Sequence, residues 1–175
     1  MRRRLFLSLF FYIAAVGVAS AQDVTLTPMR LSWVKVCGHD SEVVCYTSRN
    51  FGTEMSGKPN LALAVFEKEG EDKYLLRFLV PVGLRADLGL AVSLDGEPID
   101  NATFKVCYPN GCFAELRVDR SVLERLKRAT WLRIGMTTGK NANVVFTAPL
   151  AGFAAAFEGP GLQDRKATRN FQFDL

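Results

Sequence analysis

Phe104-Lys-Val-Cys107-Tyr-Pro-Asn-Gly-Cys112-Phe-Ala-Glu-Leu116 is the stretch from which the fold can be read. Two arms of alternating character flank Tyr108-Pro109-Asn110-Gly111, and a cysteine stands on either side of that turn. Alternation with period two places Phe104, Val106 and Tyr108 on one face, and Cys112, Ala114, Leu116 and Val118 on one face of the return arm. The reading is a β-hairpin closed by its own disulfide. Pro109 holds φ negative, which disfavours the primed two-residue turns. A longer loop with Gly111 at positive φ is therefore expected, with Cys107 opposite Cys112.

The chain has four cysteines. Three pairings are open, and Cys37–Cys45 with Cys107–Cys112 is preferred because each pair brackets a short loop between strands. Such small loops remove little chain entropy, so each bridge should contribute at the low end of about 2–4 kcal/mol. A zinc site from Cys37, His39, Cys45 and the second pair matches no zinc-finger or ribbon spacing, and exported thiols oxidise. Neither pair is Cys-x-x-Cys, so a thioredoxin-like redox role lacks its motif.

Export is read from the N-terminus. Arg2-Arg3-Arg4 precedes an apolar run from Leu5 to Val18, and Ala19-Ser20-Ala21 has the small-x-small pattern of a signal-peptidase site. Residues 1–21 are expected to be a signal peptide cut before Gln22, with no lipobox cysteine at the junction. The formal charge of +4 owes three arginines to this leader, which leaves 19 basic against 18 acidic residues. A surface so balanced gives no electrostatic reason to expect nucleic acid as a partner. No later apolar run approaches a membrane span. Residues 22–160 are expected to form one domain, followed by a charged tail at 161–175.

Outward from the hairpin, strand patterns recur. Leu31–Val36 and Val43–Thr47 flank Gly38-His39-Asp40-Ser41, a turn tied by Cys37–Cys45. Leu61–Phe66 and Tyr74–Val80 flank a charged turn. Pro81-Val82-Gly83 forces a bend, because proline cannot donate to a ladder and glycine permits positive φ. Leu88–Leu94, Glu97–Ile99, Trp131–Thr137 and Val144–Thr147 complete the strand set, with Asp95-Gly96 a tight turn. Asp119 or Ser121 can cap a helix whose Val122, Leu123 and Leu126 form the apolar face, with Ser121–Glu124 at capping-box spacing and Glu124–Arg128 as an outward pair. Pro149–Phe157 reads as a second short helix with Leu150, Phe153 and Phe157 on one face. The sum is a mainly β protein, an antiparallel β-sandwich of about nine or ten strands with two short helices; a closed β-barrel is the alternative. The terminal Phe171-Gln-Phe173-Asp-Leu175 echoes the last strand of an outer-membrane barrel, but short strands and mid-chain helices do not suit one.

No catalytic constellation stands out. His39 is the chain's only histidine, and neither a Gly-x-Ser-x-Gly elbow nor a Gly-rich phosphate loop after a strand is present. No metal or cofactor is expected. Disulfide-bracketed loops on a rigid sandwich instead suit a contact surface. The candidate binding tips are Tyr108, Pro109 and Asn110 at one loop, and His39 with Asp40 at the other.

Several residues fall in a recognisable order: Trp33-x-x-x-Cys37 and Cys45; Pro81-Val-Gly83-Leu; Leu94-Asp-Gly96; Phe104-x-x-Cys107 with Gly111-Cys112; Leu123-x-x-Leu126-Lys127; and Leu150-Ala-Gly152-Phe153-x-x-Ala156. From Trp33 to Phe157 the chain resembles the invasion-associated locus B family of exported bacterial proteins. Arg128-Ala129 departs from the pattern, where a glycine would follow the helix. The resemblance implies a periplasmic, outer-membrane-associated or secreted protein without catalytic residues to carry over. The disulfide-bracketed loops add the expectation of a binding module for a protein or envelope component, and the family's name a link to host-cell invasion. A periplasmic structural or chaperone-like role, using an exposed strand edge, is the alternative, and a hydrolase a more distant one.

Overall fold

The computed structural model describes residues 21–29, 32–39, 43–53, 59–68 and 70–163. Residues 1–20 of the expected leader, Leu31, Asp40, Ser41 and the last twelve residues lie outside this set. Twelve β segments occur among the described residues: β1 (Gln22–Thr25), β2 (Thr27–Pro28), β3 (Val34–His39), β4 (Val43–Gly52), β5 (Pro59–Lys68), β6 (Lys73–Val80), β7 (Leu90–Leu94), β8 (Glu97–Tyr108), β9 (Gly111–Asp119), β10 (Trp131–Thr137), β11 (Asn143–Pro149) and β12 (Leu162–Gln163). Two helices, α1 (Arg120–Arg128) and α2 (Phe153–Glu158), accompany them.

The strands follow the order β1-β11-β10-β7-β8-β9-β6-β5-β4-β3-β12. β8 belongs to two layers. Its first half pairs with β7 and its second half with β9, with a register shift in each ladder. The two expected strands at Glu97–Ile99 and Phe104–Tyr108 are thus one long, bent strand, because bulges let a single strand turn the corner between sheets. The opposite seam is closed by the N-terminus. β1 runs parallel to β11, Leu26 N–H donates to Thr147 O at 2.8 Å, and β2 pairs antiparallel with β4. The two layers therefore form a sandwich closed into a flattened barrel. The closing strand escapes sequence patterning because Gln22-Asp-Val-Thr is a largely exposed edge with little alternation.

Alternation sets the core. Leu61, Leu63 and Val65 of β5, Leu76, Phe78 and Val80 of β6, and Cys112, Ala114, Leu116 and Val118 of β9 face Leu90, Val92 and Leu94 of β7 and Leu132, Ile134 and Met136 of β10. The helices close one end. Leu123 and Leu126 of α1, Leu150, and Phe153 and Phe157 of α2 complete the same cluster. Asp119 caps α1, accepting from Val122 N–H at 3.1 Å, while the Ser121 hydroxyl donates to the same carboxylate at 2.7 Å. Ser121 is thus a helical residue, and the capping box starting from it does not form. The ion pair lies at Glu124–Lys127 (2.8 Å) rather than Glu124–Arg128, since Lys127 also reaches Glu158 on α2 at 3.1 Å. α1 ends at Ala129 with φ −69° and ψ 147°, an extended exit that needs no glycine.

Candidate interaction surface

The β8–β9 hairpin is tighter than expected. Cys107 lies opposite Cys112 and Tyr108 opposite Gly111, leaving Pro109-Asn110 as a two-residue turn. Neither Asn110 nor Gly111 is among the positive-φ residues, so the turn is not a primed one. Pro109 at its first central position suits a type I turn. Gly111 is required for a different reason. A Cβ there would stand 2.7 Å from Leu79 Cδ1 and 3.0 Å from Val80 O, because β6 passes directly beneath.

The face assignment of the first arm also changes. Phe104 pairs with Ala114 but Val106 pairs with Phe113, so the bulge at Lys105 turns Phe104 inward and Val106 and Tyr108 outward. Val106 is 41% exposed and Tyr108 52%, and the Tyr108 ring meets Phe113 edge-on at 6.1 Å.

The connection from β6 to β7 runs past the same end. It carries Val82 (52% exposed) and Leu88 (53%). Four of the seven large exposed hydrophobics among the described residues thus belong to the β8–β9 hairpin and the β6–β7 connection. Their scaffold is tethered. Gly83, at φ 86°, accepts from Gly139 N–H at 2.7 Å, and Arg85 N–H donates to Thr137 O at 2.8 Å. The Arg85 guanidinium grips Asp87 at 2.9 and 2.6 Å and Asn141 Oδ1 at 2.9 Å. Hydrogen bonding from Arg85 lowers the Asp87 carboxyl pKa, and the same bond raises that of Arg85.

The second disulfide, Cys37–Cys45, sits elsewhere. Cys45 meets Glu67 at the far end of β5, and the β6–β9 ladder reaches Asp119 there and Cys112 at the hairpin end. The two bridges are about 20 Å apart along the strands. His39 ends β3 opposite Val43. The two candidate tips therefore do not form one surface. Both cysteine pairs are cross-strand partners, with Cα separations of 4.1 Å (Cys37–Cys45) and 4.0 Å (Cys107–Cys112).

Trp33, Gly152 and Phe153 converge on one packing node. Trp33 is 5% exposed, and Phe51 and Phe153 meet its ring edge-on at 5.7 and 5.0 Å. Its indole N–H donates to Ala151 O at 3.2 Å. Gly152 takes φ 84° to enter α2, with its Cβ direction 3.7 Å from Trp33 Cδ1. Pro81 and Gly83 shape the β6–β7 bend, and Gly111 admits β6. These residues hold the fold; of the exposed apolar side chains, Tyr108 was a candidate tip, whereas Val82, Leu88 and Val106 were not singled out by sequence patterning, which treats Val and Leu as core.

Among the described residues no cluster of three or more His, Cys, Asp or Glu side chains is arranged to hold a metal. None of their helices is long and apolar enough to cross a membrane.

A family model described as Invasion associated locus B (IalB) protein matches residues 33–161. The chain belongs to the IalB family. It is 32% identical over 81 residues to an Invasion protein B homolog of Brucella abortus strain 2308, covering 46% of this chain and 47% of that protein. The homolog from Brucella abortus biovar 1 strain 9-941 matches equally. The chain thus spans about half the length of these curated relatives. The crystal structure of invasion associated protein b from Bartonella henselae superposes with a TM-score of 0.63 at 20% identity, over 71% of this chain and 88% of that one. At that identity the likeness concerns the fold, and it is the same β architecture.

Proposed function

We propose that this IalB-family domain is a non-catalytic exported binding module, and that its contact surface is the disulfide-clamped β8–β9 hairpin together with the β6–β7 connection. The observation that carries the reading is the solvent exposure of Val82 and Leu88 on the β6–β7 connection and of Val106 and Tyr108 on the hairpin that follows. Exposed apolar side chains on a tethered frame are the economical basis of a contact, since little conformational entropy is lost on binding. Tyr108 is the natural anchor, being amphipathic and rich in contact area. The two disulfides and the family support a setting outside the cytoplasm, periplasmic, outer-membrane-associated or secreted. The names of the relatives tie those proteins to invasion; for this chain the partner is a protein of the envelope or of a host surface.

The test is photo-crosslinking from position 110 of the mature domain, followed by affinity measurement on the captured partner. Val106→Ser with Tyr108→Ala should weaken binding at least about tenfold, as expected for loss of an aromatic anchor. Thermal stability should hold, because both side chains are exposed. Equal affinity in wild type and double variant would place the contact elsewhere.

A further inference from the structure

The opposite end of the barrel carries a second exposed aromatic in different company. β10 sends Leu132, Ile134 and Met136 into the core, so Trp131 and Arg133 face outward. Trp131 is 40% exposed, whereas Trp33, the chain's other tryptophan, is buried. Its backbone is fixed from both sides by one residue. Asp95 Oδ1 accepts from Trp131 N–H at 2.8 Å, and Asp95 N–H donates to Trp131 O at 3.0 Å. Thr130 N–H adds a bond to Asp95 Oδ2 at 3.1 Å. Asp95 (φ 49°) and Gly96 (φ 91°) both take left-handed φ, as a primed hairpin turn demands.

Beside the indole lies an open groove of about 490 Å³, lined by Asp23, Thr25, Asp95, Trp131, Arg133 and Thr147. That volume falls within the range of about 300–1,000 Å³ typical of small-molecule sites. Its polar groups are mutually oriented. Arg133 Nη2 donates to Asp23 Oδ2 at 2.8 Å, and Thr147 Oγ1 donates to Asp23 Oδ1 at 2.9 Å.

We infer that this groove binds a neutral saccharide, with one pyranose ring stacked on Trp131 and its hydroxyl rim hydrogen-bonded to Asp23, Arg133 and the threonines. The chemistry selects the class. The single guanidinium is already paired with Asp23 and a second carboxylate stands nearby, so an anionic ligand would meet net negative charge. One flat ring amid charged and hydroxyl groups offers little to an aliphatic chain or an amphipathic helix. A pyranose has both properties required, an apolar C–H face for the indole and hydroxyls that donate and accept in the plane of the ring. Gluco-configured β1,4-linked sugars, whose substituents are equatorial, present the most uniform C–H face and are the favoured ligands. Thr25 and Asp23 come from β1, so the site is complete only when the N-terminal strand closes the barrel. It lies at the start of β8, far from the hairpin at its end, and its outcome is independent of the hairpin reading.

Cellotetraose and chitotetraose, titrated into the mature domain by calorimetry and intrinsic fluorescence, test the assignment. Expected is a saturable signal with Kd about 0.1–1 mM for one of them, in the weak range proper to an open site. Trp131→Ala should abolish the heat at unchanged Trp33 emission, Trp131→Phe should retain part of it, and Arg133→Ala should weaken it about tenfold. Absence of heat and spectral change with both sugars overturns the inference. So does equal binding by Trp131→Ala, or binding of inorganic phosphate in place of either sugar.

Discussion

Replacing Cys107 and Cys112 together by alanine tests whether the hairpin is held by its ladder or by its bridge. The bridge closes a sequence separation of 5 residues. Loop-closure entropy then gives about 2 kcal/mol of stabilisation from the constraint on the unfolded chain. Cys112 is only 4% exposed, so losing its sulfur from the core raises the expected total to about 2–3 kcal/mol. For a domain of this size that is a Tm fall of about 4–12 °C. Removal of Cys37–Cys45, which closes a separation of 8, should differ in its entropic part by only about 0.4 kcal/mol, since the term grows with the logarithm of loop length. The assay is thermal and urea unfolding of oxidised wild type and both double variants, with the urea m value checked for constancy. β9 is paired along its length with β6, from Lys73–Asp119 to Val80–Cys112, so strand content should survive. Failure to fold, or a loss beyond about 5 kcal/mol, would refute the view that the ladder brings the cysteines together. An unchanged Tm would show that the bridge constrains nothing.

Gly111→Ala should destabilise by about 1–3 kcal/mol through the clash with Leu79 and Val80 O, read by urea midpoint. Because Gly111 does not have positive φ, Gly111→Ala with Leu79→Ala should be less damaging than the sum of the two single changes. Phe153→Ala, at 0% exposure, should cost about 3–5 kcal/mol, and the loss should couple with Trp33→Phe since the rings touch. Asp119 has its pKa lowered, first by the Ser121 hydroxyl and then by Val122 N–H, so its folded value lies below its unfolded one. Its contribution is therefore present above the usual carboxylate range near about 4 and disappears as pH falls through the folded value. The Tm gap between wild type and Asp119→Ala should be open at neutral pH and narrow in acid.

Local chemistry made most elements readable. Alternation in β6, β7, β9 and β10 coincides with their buried faces because a one-residue slip would expose every core side chain. The short loops between cysteines pointed to the two pairs that the structure joins, since cross-strand neighbours near a turn are close by construction. Non-local matters were not legible. Continuity of β8 through both sheets rests on bulges, which leave no periodic trace. The N-terminal strand acquires its role from β11 and β4, which lie far along the chain.

The sequence by itself therefore determined the β class, the helix faces, the cysteine pairs and the family, because each depends on short-range periodicity or on a fixed order of residue types. Only tertiary structure decided that the Phe104–Leu116 hairpin closes with a two-residue turn, and that Gly111 serves a close approach of β6 rather than a left-handed φ. It also decided that Val106 faces solvent while Phe104 faces the core, and that the two disulfides occupy opposite ends of the barrel. The physical reason is common to all four. Side-chain direction and backbone clearance are set by which strands become neighbours, and that neighbourhood is a property of the closed barrel.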